Sequence, residues 1–333
     1  MRLAVSGGHD DAFLIFARQL GATDVIGSPR IPTDRAYFDF RELMLYRTRI
    51  EDAGLRWAVM ESYPAEWSDK IKLGLPGRDE QIDNWCRTLR NMGSAGINVL
   101  GYFWSLRNNA GFYGLRTSRT TRGRGDAIVT TFDYDRIKDA GGDYWGPAVS
   151  ESLEITDDQM WDNVTYFLQA VIPVAEEAGV KMGLHPDDPP VSPIAGVPRI
   201  FRSHDALKRF IDIVPSDCNG LAFCQGTISE MAGNVIDAIN YFGRRDKIFY
   251  VHFRNVTGTV REFSETFIDE GHVDMLEAML AYKDVGFDGA MVDDHVPHLV
   301  VDSERQHSSH AYALGYMKAL IDTATGPFGS RIQ

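Results

Sequence analysis

The sequence predicts an α/β chain folded as one (β/α)8 barrel, a TIM barrel, and three observations carry that expectation. Eight short apolar runs alternate with amphipathic stretches of helical spacing. The connections between most of them are short, as parallel strands joined by crossover helices require. The length of 333 residues suits this fold, whose usual span of about 250 residues grows with insertions. No linker divides the chain, so residues 1–333 are expected to form a single domain.

Arg2–Ser6 (RLAVS) and Asp24–Gly27 (DVIG) read as the first two strands. Between them, Asp11–Leu20 carries apolar residues at helical spacing, with Asp10 placed to cap it. Phe38–Ala53 is a helix by the same test, closed by Gly54. Leu55–Met60 is the third strand and leads into Glu61. Ile71–Asp79 (IKLGLPGRD) reads as a loop closed by Pro76-Gly77, followed by a helix over Asp79–Ala95 and a fourth strand, Ile97–Trp104.

Leu106–Tyr144 breaks this rhythm. Arg107, Arg116, Arg119, Arg122 and Arg124 sit there among Gly, Thr, Ser and Asn with little periodicity. An insertion of this length after strand four is either a passive surface loop or a lid over a site. In an acidic protein such an arginine cluster can steer and hold an anionic substrate through bidentate carboxylate contacts.

A helix over Thr156–Gly179 leads to KMGLHPDDPP (Lys181–Pro190). Its apolar start is a fifth strand that delivers His185. Pro186 then stops regular structure, because proline lacks a donor and restricts its predecessor to extended conformations. Asp187 and Asp188 follow, either to orient site residues from behind or to cap the next helix. That helix is expected over Arg199–Val214, with Ser203 as its cap. Gly220–Cys224 is the sixth strand, followed by Gln225-Gly226-Thr227 and a helix through Phe242. Ile248–Phe253 is the seventh, and Gly289–Val292 the eighth, running into Asp293-Asp294-His295. Met317–Asp322 lies in the closing helix.

Composition narrows the function classes. A 44% hydrophobic and 24% charged chain can bury a sizeable core. Net charge of −13 and a pI near 5.1 argue against a nucleic-acid surface. No apolar run approaches the roughly 20 residues that cross a bilayer, and no signal peptide is expected. Cys86, Cys218 and Cys224 cannot all pair, which points away from a disulfide framework and toward the cytoplasm.

A barrel of this class carries its active site at the C-terminal ends of its strands. Strands five to eight end in His185, Cys224, His252, and Asp294 or Asp293, and strand three adds Glu61. Singly each has a dull explanation, since a buried Cys or His is often only core. Together, two imidazoles, a thiolate and a carboxylate make a first coordination sphere for a divalent transition metal. Cys and His suit Zn²⁺, while a mixed site with open positions also holds Mn²⁺, Fe²⁺ or Co²⁺. The barrel mouth favours a catalytic over a structural ion.

The motifs IKLGLPGRD, GLHPDDPP, LAFCQGT (Leu221–Thr227), VHFRNV (Val251–Val256), the FxExFxDEGHVDM run (Phe263–Met275) and DDHVPH (Asp293–His298) run through nearly the whole chain. In these motifs the sequence resembles the mannonate dehydratases. The resemblance implies a xylose-isomerase-like barrel and a Mn²⁺-type metal bound by His185, Cys224, His252 and Asp294. It also implies dehydration of D-mannonate to 2-keto-3-deoxy-D-gluconate, a hydro-lyase reaction. Such chemistry needs a base for the C2 proton and an acid for the departing 3-hydroxyl. His295, beside Asp294, suits one role. The family's partner is a tyrosine shortly after this motif; here Ser303–Met317 offers His307, His310 and Tyr312 without a clear equivalent. Arg254 and Asn255, just past His252, are expected to hold the carboxylate of the sugar acid, with a structural ion pair the alternative role for Arg254. Glu61 is expected to contact the substrate, and a homo-oligomer (dimer or larger) is expected. The competing readings are a metal-dependent sugar isomerase or epimerase on the same barrel, and a non-catalytic paralogue that binds metal and sugar acid.

Overall fold

The computed structural model describes residues 1–8, 10–106, 115–137, 155–194 and 197–326. Its strands in chain order are β1 (Arg2–Ser6), β2 (Asp24–Ile26), β3 (Arg56–Glu61), β4 (Val99–Phe103), β5 (Ser118–Arg122) and β6 (Ile128–Asp133). They continue with β7 (Lys181–His185), β8 (Asn219–Cys224), β9 (Ile248–His252), β10 (Val256–Thr259), β11 (Glu262–Glu265) and β12 (Ala290–Val292). Eight of these close a parallel barrel in the order β1-β12-β9-β8-β7-β4-β3-β2. All eight strands expected from the sequence are in it. Every residue of β8 and β9 is buried, the signature of parallel strands covered on both faces.

The barrel interior is filled by Ala4, Ile26, Val59, Ala222, Tyr250, Ala290 and Val292, small and branched residues around one large ring. That ring needs room: a Cβ on Gly101 would fall 2.0 Å from the Tyr250 hydroxyl. Outside, the helices close on a continuous apolar shell that includes Leu3, Val5, Val25, Leu100, Met182, Leu221 and Phe223. Their starts are chemically marked. Asp39 and Glu42 form a reciprocal capping box, as do Thr156 and Gln159, and Ser203, Asn234 and Asp274 accept from the first turns of theirs.

Four local expectations change. Ile71–Leu73, the start of the IKLGLPGRD stretch, belongs to a short helix over Asp69–Leu73 rather than to a loop. The Gln81 side chain reaches back to accept from the Lys70 and Ile71 amides, and Gly74 ends the turn at φ +66. The helix expected over Arg199–Val214 begins only at His204, after its Ser203 cap. Residues Arg199–Phe201 are instead bound to Asp187, which accepts from the Phe201 amide at 2.8 Å. The segment after Cys224 divides into Gln225–Glu230 and Val235–Gly243, the second restarted by Asn234.

The fourth change concerns the insertion. β5 and β6 form an antiparallel hairpin that pairs with β11, giving a four-stranded sheet ordered β10-β11-β6-β5. Phe132, Phe263, Val256, Ile137, Val191 and Ile194 form its small core. The Ile128–Phe132 run carried a strand signal in its β-branched residues, obscured by the preceding Gly and Arg. Residues 107–114 and 138–144 of the expected lid lie outside the described residues.

Candidate active site

At the C-terminal ends of β7, β8 and β9, His185, Cys224 and His252 converge. All three are buried, and one donor atom from each lies within 4.8 Å of the others. The register explains the meeting: His185 opposes Phe103 on β4, and Cys224 opposes His252 across β8 and β9. The hydrogen bonds select the ring nitrogens. His185 Nδ1 bonds the Pro186 carbonyl at 2.7 Å, which directs Nε2 inward. His252 Nε2 bonds Glu61 Oε1 at 2.8 Å, and Tyr250 donates to the same oxygen at 2.7 Å. His252 Nδ1 is thereby left buried without a hydrogen-bond partner.

A buried ring nitrogen without a hydrogen-bond partner costs free energy, and a coordinated cation is a group that can satisfy it. The carboxylate–imidazole pairing of Glu61 with His252 is the arrangement that fixes a metal-ligating histidine. Asp294 Oδ2 stands 3.6 Å from that same Nδ1. Burial would raise the Cys224 thiol, but the Arg254 guanidinium and His185 outweigh it and hold the thiol well below its ordinary value. Thiolate, two imidazole lone pairs and a carboxylate therefore fit a divalent transition metal. Asp293 is directed elsewhere, with Oδ2 held at 2.7 Å by His310 Nδ1.

Over this cluster lies a layer of buried ion pairs. Arg254, expected to meet substrate, is buried and surrounded by protein carboxylates. Nη2 donates to Asp188 Oδ2 at 2.9 Å, Nη1 to Glu265 Oε2 at 2.9 Å and Glu230 Oε1 at 3.0 Å, and Nε lies 3.0 Å from Asp294 Oδ2. Gly226 permits this approach, since a Cβ there would fall 2.6 Å from Arg254 Cγ. Arg116 from the insertion is sealed in the same layer, bidentate to Asp188 at 2.8 and 3.0 Å and bonded to Glu265. The paired guanidiniums hold Glu265 below its ordinary range despite burial, whereas burial and Asp188 push the Glu230 carboxyl well up. Asp188 thus binds two arginines and Asp187 the Arg199 segment; neither caps a helix.

His295 sits at the edge of this layer with a left-handed backbone, φ +49. Its Nδ1 is 2.8 Å from Glu265 Oε1 and 3.1 Å from Arg116 Nη2, while Nε2 faces Asp294 Oδ1 at 3.6 Å. Burial opposes its charge, but Asp294 and Glu265 prevail and raise its pKa. Asn255 is used internally: its amide donates to Val273 O and its oxygen accepts from the Val256 and Val273 amides. His307 points to the first helix, with its ring 4.8 Å from Phe16 and its Nδ1 at Ser303. Tyr312 is exposed, packs on Phe267 and accepts from Arg124 at 3.4 Å. Sequence reasoning missed Glu265, Glu230 and Tyr250. The first lay inside the FxExFxDEGHVDM run, which was the available signal; the other two had none.

A family profile described as D-mannonate dehydratase (UxuA) matches residues 1–325. The chain belongs to that family. The mannonate dehydratase of Thermotoga maritima is 32% identical, over 86% of each chain, and that of Thermotoga neapolitana 31% over the same shares. The crystal structure of mannonate dehydratase from Streptococcus suis serotype 2 superposes with a TM-score of 0.84 at 26% identity, covering 98% of this chain and 96% of that one. An L-ribulose 3-epimerase structure aligns at TM-score 0.60 and 15% identity, over 97% of this chain and 95% of that one. It shares the fold alone. Among the described residues of this D-mannonate dehydratase family member, no helix is long and apolar enough to cross a membrane.

Proposed function

We propose that the chain removes water from D-mannonate to give 2-keto-3-deoxy-D-gluconate, at a divalent ion held by His185 Nε2, Cys224 Sγ, His252 Nδ1 and Asp294. The unbonded, buried Nδ1 of His252 beside Asp294 is the observation that carries the reading. Mn²⁺ is the ion proposed: the carboxylate and the barrel-mouth position suit a site with open positions, and the family resemblance points the same way. When bound, such an ion supplies Lewis acidity toward substrate oxygens.

The protein's own groups do the rest. Glu265 holds His295 through Nδ1, so Nε2 is the nitrogen that exchanges a proton with the C2–H. Loss of that proton and of the C3 hydroxyl, which leaves with a proton as water, forms a C2–C3 enol that ketonises to the 2-keto-3-deoxy acid. His310, not His307, is the better second proton-transfer group. Asp293, the neighbour of Asp294, orients it through Nδ1 at 2.7 Å. Arg254 and Asn255 are assigned to building the site rather than to substrate. The test is incubation of Mn²⁺-loaded protein with D-mannonate. A 2-keto-3-deoxy acid is expected; an isomeric sugar acid formed without loss of water would overturn the reading.

A further inference from the structure

The insertion's arginines do not share one fate. Arg116 is sealed between Asp188 and Glu265. Arg124 lies 2.7 Å from Asp269 and over the Phe267 ring, and Arg122 stands beside Asp126. Arg119, on β5, is exposed and has no acceptor among the described residues. It lines a cavity of about 340 Å³ that it shares with His295, His298, Gln306 and Thr130. A volume of this order is that of a small-molecule site.

Two further features mark this cavity. His295 and Gln306 on its wall both hold left-handed backbones, at φ +49 and +51, and such strain in non-glycine residues concentrates at functional sites. His295 also connects the cavity to the buried cluster, since its Nε2 faces Asp294. In a chain of net charge −13, a guanidinium without a carboxylate partner at a cavity wall is a place for a ligand's anion.

We propose that Arg119 receives the carboxylate of the sugar acid in this cavity, which sets C2, the adjacent carbon, beside His295. The proposal rests on the dehydratase reading and names the group that orients its substrate. A planar fork on a carboxylate fixes the rotation of the C1–C2 bond as well as its position. Gln306 and His298 then face the hydroxyl-bearing chain.

The experiment compares wild type, Arg119→Gln and Arg119→Lys, each loaded with Mn²⁺, using D-mannonate as substrate and D-mannitol as a neutral competitor. Arg119→Gln is expected to raise KM by at least about tenfold, the equivalent of one charge-assisted contact. Arg119→Lys recovers part of the loss, metal content is unchanged, and inhibition by D-mannitol is unaffected. An unaltered KM in Arg119→Gln, or equal weakening of D-mannitol, overturns the assignment. Calorimetric titration of D-mannonate separates the two ideas. If wild type binds but does not dehydrate it, the dehydratase reading fails, while a weaker affinity in Arg119→Gln still supports the carboxylate site. Equal affinities, or no binding by wild type, overturn the site.

Discussion

At the ends of β7, β8 and β9, three buried donor atoms converge and one nitrogen is left unbonded. A few ångströms above, where β11 and the inserted hairpin meet the barrel, guanidiniums and carboxylates face one another at 2.8 to 3.0 Å. The floor gathers side chains of metal-ligating type, whereas the roof is made of guanidiniums already paired with carboxylates. Burial is similar in both, so the difference is one of charge balance. An incomplete donor set binds a ligand, whereas a completed ion-pair layer holds neighbouring groups in place.

The largest effect that would break this comparison is on the roof. Arg254→Met should lower stability by about 3–5 kcal/mol, because it strands buried carboxylates at Asp188 and Glu265. Chemical denaturation measures it, and an unchanged midpoint would mean that the layer is not charged as described. His295→Asn sharpens the border between the regions. It should keep metal and stability yet lose turnover by at least about 10²-fold, the low end for general acid–base loss. If the variant still exchanges the C2 proton of a bound substrate analogue into deuterated water, His295 is not the base.

The two regions differed equally in how far the sequence revealed them. His185, Cys224 and His252 were legible because buried parallel strands fix which residue arrives at the barrel mouth, and each ends its strand. Asp293 and Asp294 could not be separated from sequence, since neighbours at a strand end point apart and it is their contacts, His310 for Asp293 and His252 with Arg254 for Asp294, that distinguish them. The roof was largely illegible. Arg116 meets partners 72 and 149 residues away, and no local pattern encodes such a pairing. The β5–β6 hairpin was hidden by its Gly- and Arg-rich turn, and the Asp69–Leu73 helix by the Pro76-Gly77 that follows it.

Smaller effects test the packing around each region. Gly226→Ala puts a Cβ 2.6 Å from Arg254 Cγ and should cost about 1–3 kcal/mol, with refolding of the wild type as the reference. On the opposite side of the barrel, Asp24 accepts from Arg56 at 2.8 and 3.0 Å and from Thr23 at 2.6 Å. Burial would raise its pKa, but these bonds prevail and lower it. Its contribution is therefore full above the unfolded carboxylate value of about 3.9 and is lost as pH falls through the lower folded value. Asp24→Asn should destabilise by about 1 kcal/mol at pH 7, given the partly exposed arginines, and the gap from wild type should close in strong acid. A gap that persists there would assign Asp24 a role independent of its charge.

The most direct test of the floor is metal content after chelation and reloading with Mn²⁺, measured by elemental analysis in wild type and in Cys224→Ser. The donor set described here predicts close to one ion per chain in wild type and little or none in Cys224→Ser, with both proteins folded by circular dichroism. Full occupancy in Cys224→Ser, or no ion retained by wild type, would contradict it.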